Sequence, residues 1–370
     1  MRPRLACVTA VVAATLMFAT ACGGSPVSGG QKSGEPTEAE AVFKEMAALD
    51  GQERRDKLVE AAEDEGELTI YTSMTDDIAL LLEKEFEADF DVAVDLTRAE
   101  STTVLTKVLK EYSSDYAGAD IVETNALELF ALNGEGALAE YAGERRDMVG
   151  EQGQFENWTA TRYNIFAPSW NTTAVSAEEA PKRWEDLADP KWNGRLAMEL
   201  SDYDWYLTLY GYWQEQGKSD EEIDKLFADM VDGAEVQKGH TTMSDLHVSG
   251  KFDVAATNYT YIVQQKINAG APLAYEPIAE PAIARPNGFG LVRNASHPAA
   301  AMLFADWMLE EGQQVLIDLG LTPAIVPEGA KDPMEGVEVI PVDTDKMVNE
   351  NEKWTKAYDD LLRGAGGAGR

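Results

Sequence analysis

The sequence predicts an α/β protein of two domains, each a parallel sheet covered by helices. Short apolar segments with strand character alternate with longer segments whose apolar residues recur every three or four positions, and this alternation occurs in two separate sets. The chain beyond its first forty residues, roughly 330 positions, is long enough to divide into about two domains.

In the first set, residues 68–71 read as a strand and residues 75–89 as a helix, with Ile78, Leu81, Leu82 and Phe86 on one face. Residues 92–96 alternate as a second strand. An amphipathic helix over 102–116 follows through Val104, Leu105, Val108 and Leu109, then a third strand at 119–122 and a helix from Ala126 to Leu132. The second set places helices at 204–216, 220–230, 242–249 and 261–269, with strands at 254–257 and 273–276. Between the sets, residues 163–170 and 287–292 are extended segments suited to crossing from one domain to the other. A helix is expected over 37–65, and no internal repeat is found.

The amino terminus is an address. Arg2 and Arg4 precede an apolar run from Leu5 to Ala21 that is too short for a permanent span, and the small residues Ala19, Thr20 and Ala21 lead to Cys22. This resembles a bacterial lipoprotein signal over residues 1–21, in which Cys22 becomes the diacylated first mature residue. Two acyl chains hold a protein firmly at a membrane face. Residues 22–40, rich in Gly, Ser, Pro and Glu, read as a flexible tether, and residues 364–370 as a disordered tail.

Cys7 and Cys22 are the two cysteines of the chain, and Cys7 is lost with the signal. Disulfides, thiolate zinc sites and cysteine nucleophiles are thereby excluded from the folded body. The formal charge of -35 becomes -37 without Arg2 and Arg4, which makes nucleic acid and anionic lipid poor partners. The acids are spread over many helices and form a solvated acidic surface.

Candidate ligand contacts lie where strands end and helices begin, because the crevice outside the carboxyl ends of parallel strands is where open α/β sheets bind ligands. Ser73 and Thr75 follow the first strand, Ser101 and Thr102 open the second helix, and Asn125 follows the third strand. Helix N-termini there offer free N–H groups to an anion, although Ser, Thr and Asn are also ordinary caps. In the second domain, Tyr203, Asp204 and Trp205, then His240, then Tyr259 and Tyr261 bring aromatic and polar groups to helix starts. Enzyme signatures fail. The three histidines lack the spacing of a hydrolytic zinc site, Gly217-Lys218-Ser219 lacks the upstream glycine of a phosphate loop, and neither a nucleophile elbow nor a dinucleotide fingerprint occurs.

Several segments together resemble the extracellular solute-binding proteins of ABC importers, most nearly the ferric-iron-binding branch: Trp184-Glu185-Asp186-Leu187, the run from Asp189-Pro190-Lys191-Trp192 to Leu196, Trp170-Asn171-Thr172, and Pro298-Ala299-Ala300-Ala301 through Gln313. The resemblance implies a type II periplasmic-binding-protein fold. Lobe 1 would comprise residues 41–165 and 286–320, lobe 2 residues 166–285, and a C-terminal helical segment residues 321–363. It implies a non-enzymatic monomer that captures a small solute in the cleft, ferric iron or a small anion such as an organophosphate or phosphonate. A permease and its ATPase would be the partners, at the outer face of the membrane, with no cofactor beyond transported Fe3+.

That branch uses adjacent tyrosines after a strand of the second lobe. Here the matching place reads Asn258-Tyr259-Thr260-Tyr261, and the histidine expected after the first strand is replaced by Ser73-Met74-Thr75. If iron is bound, Tyr259, Tyr203 and Asp204 are the oxygen ligands the resemblance points to. A secreted cleft hydrolase or transferase and the receptor subunit of a sensor are the alternatives.

Overall fold

The computed structural model describes residues 36–365, so Cys22, the signal and most of the tether lie outside the described residues. The helix expected over 37–65 is two helices, α1 (Glu38–Ala47) and α2 (Gly51–Glu65), and Thr37 and Glu40 close a reciprocal capping box at the start of α1. The tether's last residues are therefore helical. The first strand–helix set follows as β1 (Glu67–Thr72), α3 (Asp76–Asp89), β2 (Ala93–Arg98), α4 (Ser101–Ser113), β3 (Ile121–Asn125) and α5 (Ala126–Gly134), with a short β4 (Leu138–Ala139) and α6 (Glu144–Asp147).

The long crossing strand β5 (Thr159–Asn171) leads to β6 (Leu196–Glu199), α7 (Tyr203–Glu215), α8 (Asp220–Val231), β7 (Glu235–Gln237), α9 (His240–Val248), β8 (Val254–Tyr259), α10 (Thr260–Asn268) and β9 (Leu273–Ala274). A second crossing strand, β10 (Ala282–Val292), returns to α11 (Pro298–Met308) and α12 (Glu311–Asp318). The expected C-terminal helical segment contains two short strands, β11 (Thr322–Pro323) and β12 (Val339–Pro341), before its helices α13 (Thr344–Asn349) and α14 (Asn351–Ala365). Gly364 and Ala365 are helical where a disordered tail was expected.

The strands order as β2-β1-β3-β10-β5-β8-β6-β7. Three parallel strands lie at one end, β8-β6-β7 lie parallel at the other, and β5 and β10 run antiparallel between them. Register alone then sets the direction of both groups. The carboxyl end of β3 meets the middle of β10 at Asn125 and Asn287, and the carboxyl end of β8 meets β5 at Tyr259 and Phe166. Both parallel groups thus point their carboxyl ends at the same short stretch, Arg162–Phe166 beside Ala282–Asn287. The described residues belong to one compact unit, and the boundaries expected after residues 165 and 285 fall inside β5 and β10.

Apolar burial follows the predicted faces, with Ile78, Leu82 and Phe86 of α3 and Val104 and Val108 of α4 in the core. In the second group, Trp205, Tyr206 and Trp213 cluster on Phe227, Trp184 packs on Trp205, and α14 adds Trp354 and Tyr358 against Tyr206.

Candidate functional site

A chain of buried polar side chains runs along the line where the two strand groups meet. On β5, Arg162 and Asn164 share a face, and on β10, Asn287 and Arg285 stand opposite them. Arg162 donates to Glu123 of β3, whose other oxygen accepts from Thr72 of β1 at 2.7 Å. Asn287 donates to Asn125, and Asn125 donates to Ser101 at 2.6 Å, so the first-group residues expected at helix starts are linked to the crossing strand.

Arg285 anchors the other side. Its guanidinium donates to both oxygens of Asp204, to Asp202 at 3.0 Å and to the Tyr259 hydroxyl, and it lies 4.6 Å from the Phe166 ring centre. Burial opposes the charge, but Asp204, Tyr259 and Asp202 outweigh it and hold Arg285 well above the ordinary arginine value. For Asp202, burial is likewise outweighed, by His240 and then Arg285, and its carboxyl is held below the usual range. Burial and the neighbouring Asp202 push Glu199 up. Glu199 accepts from the N–H groups of Ser201, two residues before α7, and of Gly239, just before α9, and Asp204 accepts from that of Trp205 in the first turn of α7, so carboxylates of the protein lie beside both helix starts.

His240 stacks on Tyr259 with 3.8 Å between ring centres, and its Nε2 lies 3.2 Å from Asp202. Glu199, Asp202 and His240 form the one group of possible metal-ligating atoms found among the described residues, and each of the three is engaged as above. Tyr261, buried from the second group, faces Arg162 of β5 and Glu123, Arg98 and Glu100 of the first group.

The expected contacts divide accordingly. Asn125, Ser101, Asp204, His240, Tyr259 and Tyr261 come together at the seam. Ser73 is half-buried and accepts from Thr124 at 3.0 Å, while Thr75 starts α3 with its hydroxyl unused for capping and without a protein partner. Thr102 is exposed. Trp205, expected at the cleft, lies in the aromatic core against Trp184 and Phe227, because its place in α7 turns it inward. The three expected iron ligands do not converge on a shared point: Tyr259 and Asp204 meet on Arg285, and the Tyr203 hydroxyl turns to Asn351 at 2.7 Å.

Sequence reasoning missed Glu123, Glu128, Arg162, Asn164, Asp202, Arg285 and Asn287. A usable signal was present: an arginine and an asparagine two residues apart in each of two long extended segments, Arg162 and Asn164, then Arg285 and Asn287. Buried strands are otherwise apolar, so such a pair marks a special face.

Residues 120–350, well over half of the chain, match the family model for bacterial extracellular solute-binding protein, and the chain belongs to that family. Its members are binders of solutes rather than enzymes, and they act outside the cytoplasm. Iron-bound HitA from Pseudomonas aeruginosa superposes with a TM-score of 0.62 at 18% identity, covering 81% of this chain and 99% of that one. AfuA from Actinobacillus pleuropneumoniae with fructose-6-phosphate gives 0.67 at 20%, covering 80% and 99%. The substrate-binding protein of an ABC transporter from Agrobacterium tumefaciens gives 0.66 at 16%, covering 81% and 97%. These likenesses establish the periplasmic-binding-protein fold. No curated sequence matches the chain. Among the described residues no helix is long and apolar enough to cross a membrane.

Proposed function

We propose that the protein is the substrate-binding component of an ABC importer. In this reading it is a monomer held at the outer face of the cell membrane by lipid on Cys22, and it passes a small polar solute to a permease and its ATPase. The seam is the observation that carries the reading. Buried Glu123, Arg162, Asp202, Asp204, Tyr259 and Arg285, with half-buried Asn125, are drawn from both strand groups to one line, where stability alone would favour apolar packing. The two lobes, residues 41–165 with 286–320 and residues 166–285, would turn as bodies about β5 and β10 and close on the solute.

The fold leaves the solute open, since structures of similar fold carry iron in one case and fructose-6-phosphate in another. Side chains must decide it. An enzymatic reading gains nothing from the Ser169–His247 pair: both side chains are fully buried, beyond the reach of any substrate.

Heating the protein against ferric salts, phosphonates, sugar phosphates and polyamines tests the reading. One class is expected to raise the Tm, by an amount corresponding to about 2.7 kcal/mol at a hundredfold excess over Kd. The same solute should contract the particle in small-angle scattering. No Tm shift with any class, together with an unchanged radius, would sink solute capture. Replacing Cys22 by Ser should move the protein from the membrane to the soluble fraction, and an unchanged distribution would remove the anchor.

A further inference from the structure

Three acceptor atoms beside Arg285 have no protein donor. Glu128 on α5, 6% exposed, leaves Oε2 unpartnered; Asn164 on β5 and Asn287 on β10, 3% and 1% exposed, each leave Oδ1 unpartnered. Asn287 donates its Nδ2 to Asn125, which leaves its Oδ1 as the free end of the amide. Asn164 stands opposite Arg285, diagonally across from Asn287 on the same face of the sheet, which sets the backbones of the two residues about 7–8 Å apart. Glu128 joins them through Asn125, and it faces Arg285 and Asp204 across the seam. Against these three stand the orphaned donors Nε of Arg162 on β5 and the Thr75 hydroxyl at the start of α3.

Charge runs the same way. Glu123, Glu128, Glu199, Asp202 and Asp204 face the seam, opposed by Arg162 and Arg285, with His240 against Asp202. The rim pair Arg98–Glu100 is neutral as a unit. Burial pushes the Glu128 carboxyl up, with Asp204 adding to it and Arg285 opposing. An uncompensated buried carboxyl destabilises a fold unless a partner arrives.

We propose that the solute captured at this seam is a small organic cation rich in N–H donors, an ammonium or guanidinium compound, held by Glu128, Asn164 and Asn287 on the side of Asp204. The inference rests on the solute-capture reading and names its substrate class. An inorganic or phosphorylated anion would meet Glu199 and Asp204, whose carboxylates lie beside the starts of α7 and α9. A bare ferric ion would meet the Arg285 guanidinium between Asp204 and Tyr259.

Calorimetric titration of the protein with putrescine, agmatine, inorganic phosphate and ferric citrate, repeated on Glu128→Gln and Asn164→Ala, tests the assignment. Putrescine or agmatine is expected to bind, and Glu128→Gln to weaken that binding at least tenfold without lowering the ligand-free Tm. Asn164→Ala should weaken it severalfold, and serves if the first variant folds poorly. Phosphate or ferric citrate binding where neither amine binds would overturn the cation assignment and leave solute capture standing. Amine binding unchanged by both substitutions would overturn the site, and no binding of any of the four probes would count against capture and cation alike.

Discussion

His247 shows what burial does to a single titratable side chain. Its ring is fully buried, stacks on Phe252, places Nε2 3.2 Å from the Asp253 carbonyl and Nδ1 3.4 Å from the Ser169 hydroxyl. Loss of solvent pushes its pKa down to about 4, with the Asp253 contacts opposing. The folded protein therefore binds the proton less readily than the unfolded chain, so this contribution to stability is complete above the ordinary histidine value and is lost as pH falls through it toward 4. Relative to His247→Gln, the native protein should lose about 2–3 kcal/mol more between roughly pH 7.5 and 4.5. Urea unfolding at the two pH values checks this, and parallel losses would contradict it. The histidine was visible in the sequence, but its environment was not, since Ser169 and Asp253 reach it only through the pairing of β5 with β8 and the turn after α9.

At the scale of elements, β5 and β10 matter most, because their contact carries Arg162, Asn164, Arg285 and Asn287. The strands approach closely at a bulge between Asn287 and Gly288. A Cβ on Gly288 would stand 2.0 Å from the Thr159 carbonyl oxygen and 2.8 Å from Cα of Ala160, both backbone atoms that cannot swing aside. Gly288→Ala should cost about 1–3 kcal/mol or more and lower the Tm by several degrees, and it should weaken solute binding by parting Asn287 from Asn125. Gly134→Ala, where nothing lies within 4 Å of the added carbon, is the matched control in differential scanning calorimetry. Equal Tm values for the two variants would refute the argument. The extended character of both strands was legible from their apolar content, but β5 begins four residues and β10 five residues earlier than expected. The missed ends contain Arg162 and Arg285, whose charge broke the apolar pattern and hid the strands' true extent.

Across the whole molecule, the chain carries a formal charge of -35, and its described residues form one compact unit that must keep acidic groups close together. Self-repulsion of this size destabilises the folded state, and salt shortens its reach from about 30 Å at 0.01 M to about 3 Å at 1 M. The Tm is expected to rise by several degrees as sodium chloride is raised across that range, a trend that scanning calorimetry reads directly. A flat or falling Tm would mean that the acids are already compensated in place.

The sequence by itself determined the α/β class, the alternation of strand and helix, the apolar faces of the helices and the helix starts where Asn125, Asp204 and Tyr259 stand. These are local properties, set by spacing and by the chemistry of chain turns, and they reappear wherever the chain folds. Tertiary structure alone decided that Trp205 belongs to the core and that Tyr203 turns to Asn351. It also decided that Arg285 sits among Asp202, Asp204 and Tyr259, partners 26 to 83 positions away along the chain. Charge complementarity and burial act through space, and only the register of β10 on β5 and of β5 on β8 brings those groups within reach of one another.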